Sequence, residues 1–297
     1  DLFAKYPGSD GRGVRIAVLD TGCDLNAAGL NGTTSDGKTP KYLDFLDCTG
    51  DGDVSMTKTV EVEYIKNRTI EGLSGRALEL GEWARDVAAV RIGAVRLFEL
   101  LPRGVERRVR AERREAFLTR HRALISRTQS SLDNLPSSCE KVVGDEEGAD
   151  GGKPGRGVDT ERRELRLLLE QLHIIEEAYD DSGPLLDVVT FQEPDGTWRA
   201  VIDLDADGDL TKSVPMAPFG IGRRAGELGF GTAVTFCVQV YDGGDTLSIV
   251  TDAGSHGTHV AGICAAYFGG ETTTGGSEED EDDRRQDDDD AQDDRNG

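Results

Sequence analysis

Gly13-Val14-Arg15-Ile16-Ala17-Val18-Leu19-Asp20-Thr21-Gly22 is the stretch that decides the fold class. Val14, Ile16, Val18 and Leu19 make a short, nearly continuous apolar run, the pattern of a strand buried on both faces of a parallel sheet. Asp20 stands where the run ends, and Thr21-Gly22 gives the chain a turn there. In open α/β sheets functional groups collect at the carboxyl ends of strands. The run therefore predicts an α/β fold that presents a carboxylate at the working edge of its sheet.

A second stretch, Gly254-Ser255-His256-Gly257-Thr258-His259-Val260-Ala261-Gly262, reads as a loop leading into a closely packed helix. His256 is expected at the exposed mouth of that helix. Gly257 leaves room for another backbone, and Ala261, Gly262, Ala265 and Ala266 let the helix press against a sheet. His259, three residues further on, reads as a hydrogen-bonded packing residue. A zinc pair with His256 has no third ligand of suitable type.

Taken together, the two stretches resemble the aspartate and histidine motifs of the subtilisin-like serine peptidases, the subtilases, in the chain order of that family. The resemblance implies a subtilisin-like parallel sheet flanked by helices. It assigns Asp20 to orient and electrostatically support His256, and His256 to act as general base towards a serine hydroxyl. The two residues are 236 positions apart, where an ordinary subtilisin has a few dozen. Within the subtilases, a long insertion here resembles the tripeptidyl-peptidase II branch. So do Gly72-Leu73-Ser74-Gly75-Arg76, Trp198-Arg199-Ala200, Asp207-Gly208-Asp209-Leu210 and Leu247-Ser248-Ile249-Val250-Thr251. The resemblance covers about residues 5–268.

It implies a peptidase that takes peptide substrates and releases tripeptides from their free N-termini. It also implies a cytoplasmic, homo-oligomeric protein with no cofactor and no metal. No Gly-Thr-Ser-Met or Gly-Thr-Ser-Ala motif occurs. The nucleophilic serine, the oxyanion asparagine and the acidic groups that hold the substrate's amino terminus are therefore expected downstream. The chain opens on Asp1 and is expected to be a portion of the catalytic domain, cut within it and inactive alone. The alternative from another class is a non-catalytic acidic or calcium-responsive interaction module on a subtilase shell.

Composition narrows the partners. The net charge is −23; residues 277–297 hold twelve acidic side chains and three arginines, which leaves −14 on the rest. An acidic body argues against nucleic acid. No apolar run approaches the ~20 residues that span a membrane. Five scattered cysteines fit a reducing compartment better than a disulfide framework. Cys23, beside the aspartate motif, is a candidate reactive thiol.

The expected organisation is an N-terminal portion of the subtilase domain over 1–65, an insertion over 66–230, the histidine-bearing portion over 231–268, and an acidic, disordered segment over 269–297. A second strand is expected over 42–46 and a glycine-aspartate turn over 49–53. Val87, Val90, Val95, Leu97, Leu100 and Leu101 read as helix, interrupted near Pro102-Arg103-Gly104 and then highly charged. Residues 144–157 read as a linker. A helix over 160–179 carries Leu165, Leu168, Leu169, Leu172 and Ile175 on one face, completing a helical hairpin. β-Hairpins are expected over 186–202, around Pro194-Asp195-Gly196, and over 233–251, around Asp242-Gly243-Gly244-Asp245. Between them, residues 203–209 match the opening of an EF-hand loop, but Val214 occupies the twelfth position, where a glutamate should stand.

Overall fold

A computed structural model describes residues 2–6, 11–61, 68–136 and 156–268. After a short helix α1 (Leu2–Lys5), they build three small sheets and a helical hairpin. The first sheet has the order β1 (Asp53–Ser55), β11 (Thr246–Thr251), β10 (Thr235–Tyr241), β9 (Gly226–Glu227). The second runs β2 (Lys58–Glu61), β5 (Ala89–Arg96), β6 (Leu185–Gln192), β7 (Trp198–Ile202). The third joins β3 (Thr69–Glu71), β4 (Ala77–Leu80) and β8 (Asp209–Leu210). Every described pairing is antiparallel except β4 with β8.

Period-two alternation stacks these sheets. Phe236 and Val238 on β10, with Leu247 and Ile249 on β11, meet Leu186, Val188, Ala200 and Ile202 of the second sheet in one apolar layer. The opposite face of that sheet sends Val90, Ile92, Val189, Phe191 and Val201 against Ile70, Leu78, Leu80 and Leu210 of the third. Fully burying such a side chain contributes roughly 1.5–3 kcal/mol, so the middle sheet is the anchor of the body. The back of β10 and β11, through Cys237 and Val250, is covered by Leu25, Tyr42, Phe45 and Phe219. Phe219 belongs to the short helix α4 (Phe219–Gly222). This last layer ties the chain just after Asp20 to the sheet that leads to His256.

Both expected β-hairpins form, as β6–β7 and β10–β11. The hairpin of α2 (Arg103–Asp133) and α3 (Arg156–Glu177) also forms. The His121 ring nitrogen Nε2 meets the Leu172 carbonyl at 2.7 Å, and Phe117 stacks on Tyr179 with centroids 4.1 Å apart. Of the leucine stripe, Leu169 and Leu172 are buried, whereas Leu168 and Ile175 are exposed. The buried line is narrower because one long partner helix covers only an i, i+3, i+4 seam.

Three local readings differ from the structure. Residues 87–101 are not one helix: β5 occupies their middle, with Val90 and Ile92 alternating against Ala89 and Arg91, so the period there is two, and only Leu97–Leu100 make a short 3₁₀ turn. Residues 42–46 join no ladder, and Tyr42 and Phe45 pack over β10 instead. The run 14–19 pairs with no described strand, and Val14, Ile16 and Leu19 are 67%, 54% and 88% exposed. A parallel strand is buried only when neighbours flank both its edges, and the described residues supply none. The linker expected over 144–157 lies outside the described residues up to 155, and α3 begins at its end. The acidic segment 269–297 lies wholly outside them.

The aspartate-rich loop after β7 is closed on itself. Asp203, 1% exposed, accepts the backbone N–H groups of Asp207 and Gly208, both at 3.2 Å. Asp207 accepts the N–H of Asp209 at 2.9 Å. Among the described residues no group of three His, Cys, Asp or Glu is arranged to hold a metal ion.

Candidate active site

β11 ends at Thr251, and α5 (Ser255–Ala265) starts four residues later. The sharp link between them brings the second motif against the first. His256, at the second position of α5, places Nδ1 2.9 Å and 2.8 Å from the two carboxylate oxygens of Asp20. The imidazole is 74% exposed and the Asp20 side chain 15%. Sequence reading placed both residues together, and the structure does the same.

The contact is framed by backbone. The Ala253 N–H donates to the Thr21 carbonyl at 2.7 Å. Gly22 has φ +102°, and a Cβ there would lie 2.8 Å from the Cα of Asp252. A Cβ on Gly257 would run into the Gly22 carbonyl oxygen and come within 3.2 Å of the Asp20 Cβ. Glycine at 22 and 257 is thus what lets the two segments touch. Asp24 extends the junction: its N–H donates to Thr258 Oγ1 at 2.8 Å, and its carboxylate accepts from Thr235 Oγ1 at 3.1 Å.

The hydrogen bond from His256, then that from the Thr21 N–H at 2.7 Å, hold the Asp20 carboxyl below its ordinary value of 3.8. Asp20 is therefore an anion at neutral pH and can only accept. In a neutral imidazole the proton of the contact must then sit on Nδ1 and the lone pair on Nε2. That is the tautomer a general base needs. Among the described residues no serine hydroxyl is hydrogen-bonded to His256.

The neighbourhood bears on two further residues. Burial, followed by the charges of Asp20 and Asp252, pushes the Cys23 thiol up, which disfavours a thiolate at this candidate position. His259 is exposed on α5 instead of packed. Asp24, Thr235 and Thr258 carried no functional weight in the sequence reading. Thr258 lay inside the quoted motif, but its partner is an N–H group 234 residues away.

An aspartate closing an apolar run, a histidine at a helix mouth and glycines at their contact are the arrangement that the subtilase resemblance implied. The profile of the Subtilase family matches residues 11–279, and the chain belongs to that family. Among curated proteins it is similar to tripeptidyl-peptidase 2 of Oryza sativa subsp. japonica, 35% identical over 90% of this chain and 19% of that protein. Its likeness to tripeptidyl-peptidase 2 of Arabidopsis thaliana is 34% over 90% and 19%. A crystal structure of tripeptidyl peptidase 2 superposes with a TM-score of 0.58 at 24% identity, covering 90% of this chain and 19% of that one. This likeness shows the subtilisin-like fold. The chain spans about a fifth of the length of the curated relatives it matches.

Proposed function

We propose that this stretch supplies the aspartate and histidine of an Asp/His/Ser triad in a peptidase that releases tripeptides from the free N-termini of oligopeptides. The observation that carries the proposal is the Asp20–His256 contact, with Nδ1 held by the carboxylate and Nε2 left to accept. In this reading Nε2 takes the proton of a serine hydroxyl as the oxygen attacks the scissile carbonyl. It returns that proton to the leaving amine, while Asp20 holds the imidazolium. The serine lies in sequence outside these 297 residues, so they are inactive alone; its loss from subtilisin costs about a million-fold in turnover. Restriction to tripeptides, homo-oligomeric assembly and a cytoplasmic setting belong to the same proposal and rest on the likeness to the tripeptidyl-peptidase 2 relatives.

The test uses the full-length protein with a decapeptide, its products read by mass spectrometry. The parent should release the N-terminal tripeptide and leave the N-acetylated decapeptide intact, and His256→Ala should be inactive. Equal cleavage of the acetylated peptide would remove the tripeptidase reading, and an active His256→Ala would remove the triad itself.

A further inference from the structure

We infer that Thr258 is a positioning residue for His256, an assignment that rests on the triad reading above. α5 begins without the usual local support: Gly254 precedes it, and no side chain caps its first turn. Uncapped N-terminal turns fray, since their first N–H groups lack partners within the helix. His256 sits in that turn, so its ring can be aimed only if contacts from outside hold the turn. Among the described residues, one side-chain hydrogen bond besides Asp20–His256 joins α5 to the aspartate loop. It is the Asp24 N–H donating to Thr258 Oγ1 at 2.8 Å.

The far side of that bond is itself anchored. Asp24 accepts from Thr235 Oγ1 at 3.1 Å and from the Asn26 N–H at 2.9 Å, and its carbonyl accepts from the Tyr42 hydroxyl at 3.1 Å. Thr235 is buried on β10 and also accepts the Leu25 N–H at 3.2 Å. A line of hydrogen bonds thus runs from the sheet through Thr235 and Asp24 to Thr258, two residues beyond His256. It fixes the helix mouth against the loop that carries Asp20. Thr258 touches no reacting atom; its hydroxyl acts by keeping Nδ1 on the carboxylate and Nε2 in line with its target.

The experiment is Thr258→Val, which keeps the shape and removes the acceptor, beside Thr258→Ser, which restores the hydroxyl, both in the full-length protein. Thr258→Val should lower kcat between about tenfold and a hundredfold, the scale of a misaligned catalytic group. KM should stay within about twofold, because substrate contacts are untouched. Thr258→Ser should recover most of kcat. A kcat for Thr258→Val equal to that of the parent, or a loss that Thr258→Ser does not relieve, overturns the inference. If Thr258→Val does not fold, Thr235→Val removes the preceding hydroxyl in the same line, and the same outcomes apply. His256→Ala, run alongside, separates the two levels: an active His256→Ala defeats the triad reading, whereas an inactive one beside a fully active Thr258→Val defeats only the role of Thr258.

Discussion

Replacing Gly257 by alanine is the sharpest probe of how the two motifs meet. A methyl group there would run into the Gly22 carbonyl oxygen, lie 3.1 Å from its carbon and 3.2 Å from the Asp20 Cβ. These neighbours are backbone and the root of a short side chain, with no flexible end to swing aside. The aspartate loop or the mouth of α5 must therefore retreat by roughly 1 Å to regain ordinary contact. A retreat of that size stretches the 2.8 Å contact between Nδ1 and Asp20 beyond hydrogen-bond range. Misplacing a catalytic group by about 1 Å costs on the order of a hundredfold in rate, equivalent to about 2.7 kcal/mol. The assay is the proposed tripeptide release, measured on the full-length protein, with Gly262→Ala as control. Gly262 lies in the same helix with nothing within 4 Å of an added Cβ, so alanine there should leave the rate unchanged. It should also favour the helix by up to about 1 kcal/mol. Gly257→Ala within about threefold of the parent would refute the reasoning, since the misplacement it predicts costs far more.

Two further outcomes follow from the charged groups. The hydrogen bond from His256 depresses the Asp20 carboxyl below 3.8, so it contributes stability above that value and loses the contribution as pH falls through the depressed one. The melting temperature of the parent should exceed that of Asp20→Asn near neutrality, and the gap should close on acidification; a gap unchanged down to about pH 2 would contradict it. Asp187, fully buried, accepts the Ser74 N–H at 3.0 Å and the Ser74 hydroxyl, and lies 3.5 Å from an Arg76 guanidinium nitrogen. Asp187→Ala should cost about 2–3 kcal/mol locally, at the low end for a broken buried pair because Arg76 keeps access to water. Hydrogen exchange over residues 72–76 should then quicken, and unaltered protection there would disprove the assignment.

The residues that carry chemistry were legible because their neighbours are unusual: a carboxylate ending an apolar run, and a histidine followed at once by glycine. Gly257 announced a close approach, and the structure supplies its partner in Gly22. The hairpins β6–β7 and β10–β11 were legible from their turn residues, which act locally. β5 was not, because six apolar positions over 87–101 fit a helical spacing loosely, and only packing on both faces shows that Val90 and Ile92 alternate. Asp24, Thr235 and Asp187 stayed silent for a related reason. A polar side chain's role is set by what it bonds, and those partners lie 111 to 234 residues away.

The contact between Asp20 and His256 also has a place in time. At ~5–20 residues per second of synthesis, the 236 residues between them take from about 12 to about 47 seconds to emerge. Throughout that interval Asp20 waits without His256, while β5 to β7 and the helical hairpin already have their own partners at hand. The nascent chain thus assembles its Asp20–His256 pair late, after the body between the two motifs has had time to fold.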